Sequence, residues 1–254
     1  MRKPLIAGNW KMYKTINEAI ELAVGLKRNL LDFKSVDIAI CPPFTALSSV
    51  YEVIMNTDIK LGAQDCFWEK EGAYTGEISP VMLKDCGVEF VIVGHSERRK
   101  YFSETDQMIN KKIKALLSIG LSPICCVGET LEERENNKTI EVIERQLEGC
   151  LKDFKIEDLL GLVIAYEPVW AIGTGKNATP EQAEEVHRFI RDWIKNKFSE
   201  GFAESLRILY GGSVKPSNIK DLIKEENVDG ALVGGASLDV SSFSEIVKNS
   251  VKYV

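Results

Sequence analysis

Short apolar runs alternate with longer amphipathic stretches along the chain. Most of these runs are apolar throughout rather than alternating, which is typical of parallel strands buried on both faces. We identify eight of them, on average about one every 30 residues, the length of a βα unit. The predicted strands are Leu5–Trp10, Val36–Cys41, Ile59–Gln64, Phe90–Gly94, Leu121–Val127, Leu162–Glu167, Arg207–Tyr210 and Gly230–Val233.

The stretches between these runs carry the signals of amphipathic helices. Thr15 and Glu18 form a capping-box pattern in front of a helical apolar face. Further along, Thr179 is followed by Pro180 and Gln182, which puts an N-cap, a first-turn proline and a box partner in order. Strands and helices are therefore expected to alternate.

Eight alternating βα units close most simply into a (β/α)8 barrel of the α/β class. The alternative is a doubly wound open sheet, which would predict a glycine-rich dinucleotide turn after the first strand. The sequence Gly8-Asn9-Trp10-Lys11 does not have the G-x-G-x-x-G spacing, which weighs against that alternative. Because no low-complexity linker or break in composition occurs, we predict one domain over residues 1–254.

The composition, with 44% apolar and 28% charged residues, is that of a folded soluble protein. No apolar run is long enough for a membrane helix, and the first run is too short for a signal peptide, so we expect a cytoplasmic protein. A net charge of −6 argues against nucleic acid or an acidic membrane surface as a partner. A small anion is still possible, because a few backbone amides and one lysine can create a local positive site.

Cysteine and histidine usage indicates neither a disulfide scaffold nor a metal centre. The six cysteines form no C-x-x-C pair, and we expect reduced, mostly buried thiols, with Cys126 packed in the core. Since His95 and His187 are the two histidines, a zinc cluster has little to build on, and no metal or cofactor is expected. His187 lies on the apolar side of a predicted helix and is interpreted as a core residue.

In a barrel the chemistry lies at the carboxyl ends of the strands. Three residues far apart in the sequence fall at such ends: Lys11 after the first strand, His95 after the fourth and Glu167 after the sixth. Asn9 stands beside Lys11. A short helical segment begins next to His95, and a helix N-terminus disfavours the imidazolium form. A neutral histidine can still donate an N–H to a carbonyl oxygen.

Two glycine pairs follow the last two strands, at the place where such barrels bind phosphate. They are Gly211-Gly212, which runs into Ser213, and Gly234-Gly235. Glycine lets the backbone approach an anion and point N–H groups at it, and a short helix near Ala236 would add its positive end.

The segment from Ala165 to Lys176 combines a carboxylate with a lid-like loop. Pro168 stiffens the start of the loop, Trp170 gives it apolar weight, and Gly173 exposes a backbone amide. A carboxylate that a closing loop can shield from water becomes a strong general base. We therefore predict a lid over residues 168–178, with Glu167 as the base.

The loop of residues 65–79 is too long for an ordinary βα connection. It contains Phe67, Trp68 and Tyr74, and exposed aromatic residues on such a loop suggest an interface. The alternative is a loop folded back onto its own barrel.

Four motifs together resemble those of the triosephosphate isomerase family, and the resemblance covers essentially the whole chain. They are Ala7–Lys11, Val93–Arg99, Ala165–Gly175 and Tyr210–Val214. Two positions depart from the family pattern: Asp65 stands where asparagine is common, and Tyr13 where histidine is frequent. Both would lie near the long third loop.

The resemblance implies a TIM barrel enzyme that interconverts D-glyceraldehyde 3-phosphate and dihydroxyacetone phosphate in glycolysis and gluconeogenesis, without a cofactor. Catalytic roles would fall to Glu167 as base, His95 as electrophile and Lys11, with Glu97 in support. The phosphorylated triose would be held by the residues that match the family's binding positions, namely Asn9, Lys11, Gly173, Ser213, Gly234 and Gly235. The active unit would be a homodimer, with Thr75 on loop 65–79 near the partner's site.

Two other readings use the same barrel. One is another phosphate-binding barrel enzyme, such as an aldolase or a flavin enzyme, although the predicted fifth and sixth strands carry no lysine for a Schiff base. The other is a catalytically silent phosphosugar-binding barrel, against which the intact Lys11, His95 and Glu167 argue.

Overall fold

The computed structural model describes residues 2–171 and 178–252. Within them, eight parallel strands form a closed barrel in chain order, with β1 paired to both β2 and β8. The (β/α)8 prediction is thereby confirmed and the doubly wound alternative is wrong. The strands are β1 (Leu5–Asn9), β2 (Asp37–Cys41), β3 (Ile59–Ala63), β4 (Val88–Val93), β5 (Ser122–Val127), β6 (Val163–Tyr166), β7 (Arg207–Tyr210) and β8 (Gly230–Val233).

Helices cover the outside of the barrel. In the described part of the chain, no helix has the length and apolar character that a bilayer crossing requires. The α-helices are α1 (Ile16–Leu30), α2 (Leu47–Ile54), α3 (Pro80–Asp85), α4 (Ser96–Phe102), α5 (Asp106–Leu117), α6 (Leu131–Glu135), α7 (Thr139–Cys150), α8 (Pro180–Lys197), α9 (Glu200–Ser205), α10 (Ile219–Lys224) and α11 (Val240–Asn249). Short 3-10 segments lie at Phe44–Ala46, Ile156–Leu159, Val169–Ala171 and Gly235–Leu238.

The predicted capping boxes begin α1 and α8. The amide of Thr15 donates to the Glu18 carboxylate at 2.7 Å. At the start of α8, the amide of Thr179 donates to Gln182 Oε1 at 3.0 Å, and the amide of Gln182 donates back to Thr179 Oγ1 at 3.2 Å. These bonds satisfy amides that have no partner inside the helix, so both helices start where the sequence indicated.

Two apolar layers explain why the strands lack alternation. The larger layer lies between the sheet and the helices. The smaller one fills the barrel interior and includes Leu5, Phe90, Ile124, Cys126 and Leu209. Each strand is therefore buried on both faces, and Cys126 lies packed in the interior layer. All six cysteines are free thiols.

A buried polar cluster supports the amino end of the barrel, where β7 and β8 begin. Asp229 accepts hydrogen bonds from Arg2 Nε at 2.6 Å, from Arg191 Nη2 at 2.5 Å and from the Ile208 amide at 2.9 Å. His187 on α8 is fully buried nearby, with its Nδ1 at 3.1 Å from the carbonyl oxygen of Asn227. Because that carbonyl accepts, Nδ1 carries the proton of a neutral ring. Burial lowers the pKa of His187 to about 4.

The low pKa of His187 predicts a loss of stability in acid. The unfolded chain protonates this residue near pH 6.5 and the folded chain near pH 4, so folding weakens as the pH falls between these values. Replacing His187 with Asn keeps a donor toward the Asn227 carbonyl and removes the titration. Between pH 7 and pH 4.5 the free energy of unfolding of the natural protein should therefore fall by about 2.5 kcal/mol more than that of His187→Asn.

Denaturant unfolding at a series of pH values measures this difference. Other titrating groups affect both proteins equally and cancel in the comparison. Parallel pH profiles for the two proteins would contradict the assignment of a neutral buried ring.

Candidate active site

A cavity of about 340 Å³ opens at the carboxyl end of the barrel. The ends of β1, β4 and β6 bring Asn9, Lys11, His95 and Glu167 to it, and the turns after β7 and β8 close its other side. Among the predicted site residues that line this cavity are Asn9, Lys11, His95, Glu167, Ser213, Gly234 and Gly235. Gly173, also predicted to bind the ligand, lies outside the described residues.

His95 and Glu167 are in direct contact. His95 Nε2 lies 2.8 Å from Glu167 Oε1, and the Ser96 amide donates to Glu167 Oε2 at 2.9 Å. The carboxylate is 2% exposed, and burial alone would raise its pKa. His95, the Ser96 amide and Lys11 together outweigh burial and lower the pKa of Glu167. In this arrangement hydrogen bonds fix the Glu167 carboxylate in its charged form, and it is a weak base.

The backbone of α4 fixes the protonation of His95. His95 is the N-cap of α4, and its Nδ1 accepts a hydrogen bond from the Glu97 amide at 3.2 Å. Burial lowers the pKa of His95, but the carboxylate of Glu167 raises it and the net direction is upward. Because an amide proton already points at Nδ1, that nitrogen carries a lone pair. A neutral ring in this position carries its proton on Nε2, which faces the Glu167 carboxylate.

Lys11 is held in an unusual backbone conformation. Its φ is +51°, in the left-handed region that side chains other than those of Asn and Asp rarely adopt. Asn9 Oδ1 accepts from the Lys11 amide at 3.0 Å, and Gln64 Nε2 donates to the Lys11 carbonyl at 2.8 Å. These bonds fix both polar groups of the Lys11 backbone, and its ammonium group pairs with Glu97 on the first turn of α4.

Gly211 and Gly235 show why glycine occupies the turns after β7 and β8. A Cβ on Gly211 would stand 2.8 Å from Glu167 Cγ, so any other residue there would displace the carboxylate. At Gly235 no atom lies within 4 Å of an added Cβ, so its backbone is open toward the cavity. The helix predicted near Ala236 is the 3-10 segment Gly235–Leu238. The turn after β8 therefore has little side-chain cover at Gly235.

A second buried carboxylate, Glu129, anchors the segment that follows Glu167. Its Oε1 accepts from Trp170 Nε1 at 2.9 Å, from Tyr166 Oη at 3.1 Å and from Arg134 Nη1 at 3.2 Å. Trp170 belongs to the start of the predicted lid, whose residues 172–177 lie outside the described part. The sequence analysis missed Glu129, although its place just after β5 is the same signal that identified Glu167.

Gln64 was noted only as a strand end and not as a site residue. It donates to two carbonyl oxygens, of Lys11 and of Cys41 at 2.9 Å, and so ties the ends of three neighbouring strands together. A residue that acts through main-chain oxygens leaves no recognisable motif. Its role could be assigned only from the geometry.

The comparisons with known proteins agree with this geometry. The family profile described as triosephosphate isomerase matches residues 4–250. The triosephosphate isomerase of Carboxydothermus hydrogenoformans is 58% identical over 99% of this chain and its own full length. That of Endomicrobium trichonymphae is 55% identical over 98% of this chain and its full length, and that of Fusobacterium nucleatum is 53% identical over 98% and 99% of the two chains.

The contact between His95 and Glu167 predicts how a mutation shifts the titration of the histidine. In a Glu167→Gln variant the charge that raises the pKa of His95 is gone while burial remains, so the pKa of His95 should fall. Titration of the ring nitrogens by ¹⁵N NMR measures the shift. His187 is the internal control, and its low pKa should be unchanged. An unchanged or higher pKa for His95 in the variant would contradict the assigned contact.

Proposed function

The chain belongs to the triosephosphate isomerase family, and we infer that it interconverts D-glyceraldehyde 3-phosphate and dihydroxyacetone phosphate, a step of glycolysis and gluconeogenesis. The observation that carries the residue assignments is the meeting of Lys11, His95 and Glu167 in one cavity. That cavity also has two glycine turns, of which the one after β8 has an open backbone at Gly235, and these suit the phosphate of a triose. The reaction is a proton transfer between neighbouring carbons and needs a base, an electrophile and a shielded site.

Glu167 is the proposed base. It removes a proton from the carbon beside the carbonyl group, and the carbon–hydrogen electron pair forms the double bond of an enediolate. A proton then moves from the hydroxyl oxygen to the former carbonyl oxygen, and the same carboxyl group returns the carbon-derived proton to the neighbouring carbon, which leaves the carbonyl group on the first carbon. For this Glu167 must leave His95 and the Ser96 amide, the contacts that lower its pKa. Release from these partners in a dry cavity makes the carboxylate a stronger base.

His95 and Lys11 stabilise the negative oxygen of the enediolate. The Nε2–H of His95, which contacts Glu167 when no substrate is bound, donates to the substrate oxygens once Glu167 has moved. A neutral imidazole with Nδ1 fixed by the Glu97 amide can make this donation in one orientation only. Lys11 contributes positive charge and Asn9 a further polar group. Preorganised donors of this kind are each worth about 10²–10³ in rate.

In this proposal the phosphate group does not react and contributes binding energy only. Ser213, Gly234 and Gly235 lie around it in this proposal, and the predicted lid of residues 168–178, which includes Gly173, closes over it. Binding energy from a part of the substrate that does not react can drive such closure. Closure excludes water, which protects the enediolate from losing its phosphate group. The Glu129 cluster holds the start of this lid.

We expect Glu167→Gln to lower the kcat of the isomerisation by about 10³, because an amide cannot accept the carbon-bound proton. Exchange of the substrate proton with solvent should fall equally, whereas the phosphorylated substrate should still bind. Glu148→Gln, at an exposed position on α7, is the matched control and should be fully active. A coupled assay and proton NMR in deuterated water measure turnover and exchange. Exchange at the normal rate in Glu167→Gln would assign the base to another residue.

The proposed active unit is a homodimer formed around loop 65–79. Phe67 and Trp68 are half-buried, and Lys111 of α5 lies over the Trp68 ring at 4.9 Å from its centroid, so this part of the loop folds back onto its own barrel. The tip at residues 71–77 is exposed and includes Thr75. Arg98 pairs with Asp65 at the base of the loop and lies over the ring of Phe102.

Large apolar side chains on the neighbouring elements are exposed. Met12 is 94% exposed, Met82 52%, Tyr101 66% and Phe102 64%. Gln64, at the start of the loop, binds the Lys11 carbonyl and so places Met12 beside the loop. Exposed apolar residues concentrated on a few elements are typical of a surface that a partner covers. The proposal further includes a cytoplasmic location, which the six free thiols support.

The dimer proposal predicts that Met82→Glu produces a monomer of lower activity, because a charge would be buried at the interface. Leu160→Glu is the matched control: Leu160 is 71% exposed and lies after the 3-10 segment Ile156–Leu159, far along the chain from the loop. Sedimentation equilibrium at the assay concentration gives the mass, and the coupled assay gives the activity. A natural protein that sediments as a fully active monomer would exclude this part of the proposal.

A further inference from the structure

The amino end of the barrel contains a cavity of about 650 Å³, nearly twice the volume of the candidate active site. We call it the basal cavity. Arg2 precedes β1 and Asp229 precedes β8, so the cavity opens at the end of the barrel opposite to Glu167. The other lining residues come from α10, α11 and the segment after α11: Lys220, Ile223, Lys224, Glu226, Lys248, Asn249, Val251 and Lys252.

Positive charge predominates around the basal cavity. Five lining side chains are basic (Arg2, Lys220, Lys224, Lys248 and Lys252) and two are acidic, Glu226 and Asp229, although the whole chain carries a net charge of −6. A local excess of this kind focuses an attractive field for anions inside an otherwise acidic protein.

The acidic residues of the cavity leave most of this charge uncompensated. Asp229 is already bound by Arg2 and by Arg191, which lies outside the cavity lining. Glu226 contributes its main-chain oxygen to Arg2, at 2.9 Å, rather than its carboxylate. Lys224 pairs with Asp221 on its own helix.

Three of the lysines have no carboxylate partner. Lys252 donates to the main-chain oxygen of Glu225 at 2.9 Å, and burial, with Arg2 and Arg191 nearby, lowers its pKa more than the attraction of Asp229 raises it. Within the described ranges, Lys220, Lys248 and Lys252 take part in no ion pair. Lys220 and Lys248 are exposed and Lys252 is half-buried, so the lining offers three cationic side chains to an anion that enters the cavity.

The floor of the cavity is apolar. Ile223 is 3% exposed, and Val251 packs against the main core. A ligand with a body as well as charged groups would fill the volume better than a bare inorganic anion, and 650 Å³ is in the range of sites for small organic molecules.

We propose that the basal cavity is a second ligand site, which binds an organic phosphate with at least two negative charges on an apolar or heterocyclic body. The phosphates lie among Lys220, Lys248 and Lys252, and the body lies against Ile223 and Val251. The site is independent of the isomerisation, since it shares no lining residue with the active-site cavity.

Calorimetric titration with ADP in a phosphate-free buffer of low ionic strength tests the proposal. The titration is run without and with saturating triose phosphate, which fills the active site. The expected result is ADP binding that weakens with added salt and that falls at least about tenfold in a Lys220→Gln, Lys248→Gln double variant. The control is Lys138→Gln with Lys152→Gln, two exposed lysines away from the cavity, which should bind ADP normally. The isomerase kcat of both double variants should be unchanged, which separates this result from the proposed catalytic roles.

Three outcomes would overturn the proposal. One is the absence of ADP binding at millimolar concentration, and another is ADP binding that triose phosphate displaces. The third is equal loss of affinity in the two double variants. Inorganic pyrophosphate is titrated in parallel. Pyrophosphate binding as tight as that of ADP would contradict the assigned contact between the apolar floor and the body of the ligand.

Discussion

Closure of the sheet between β1 and β8 is the contact on which the rest of the structure depends. Leu5 pairs with Gly230, so residues that lie 225 positions apart become neighbours. A Cβ on Gly230 would lie 1.9 Å from the Leu5 carbonyl oxygen, so the last strand can join the first only if it begins with glycine. Once the ring is closed, Lys11 after β1 and Gly234 after β8 lie at one mouth. Without closure the residues of the site would be spread along the edge of an open sheet.

The mouth then holds ionisable groups that are buried and therefore need partners. Glu167 is almost completely buried, and without His95 and the Ser96 amide its charge would be strongly disfavoured. The same contacts that make the buried carboxylate tolerable also reduce its basicity. In the proposed mechanism, substrate therefore replaces these contacts when Glu167 acts as the base. The contact between His95 and Glu167 stabilises the ligand-free site. In the proposed mechanism, the loss of this contact makes the substrate-bound site reactive.

Most of the fold and the central residues of the site could be predicted from the sequence, because both follow from position along strands. An apolar run buried on both faces identifies a parallel strand, and the polar residue after it lies at the mouth, which identified Lys11, His95 and Glu167. The first and last residues of the strands were predicted less accurately than the existence of the strands. The fourth strand was predicted from Phe90, whereas the structure starts it at Val88, because Glu89 at its exposed start interrupts the apolar pattern. Where Phe67 and Trp68 fold back onto the chain, exposure of the loop aromatics was overestimated.

Residues that act through pairing or through the main chain could not be predicted in this way. Gln64 fixes strand ends by donating to two carbonyl oxygens. Glu129 accepts hydrogen bonds from three side chains on separate elements. The lysines of the basal cavity lie on two helices and a terminal segment, and none has a motif of its own. Three of them, Lys220, Lys248 and Lys252, have no carboxylate partner among the described residues, and this depends on where every neighbouring carboxylate is directed. Such a property exists only in the folded chain, because Asp229 could neutralise a lysine there if Arg2 and Arg191 did not already occupy it.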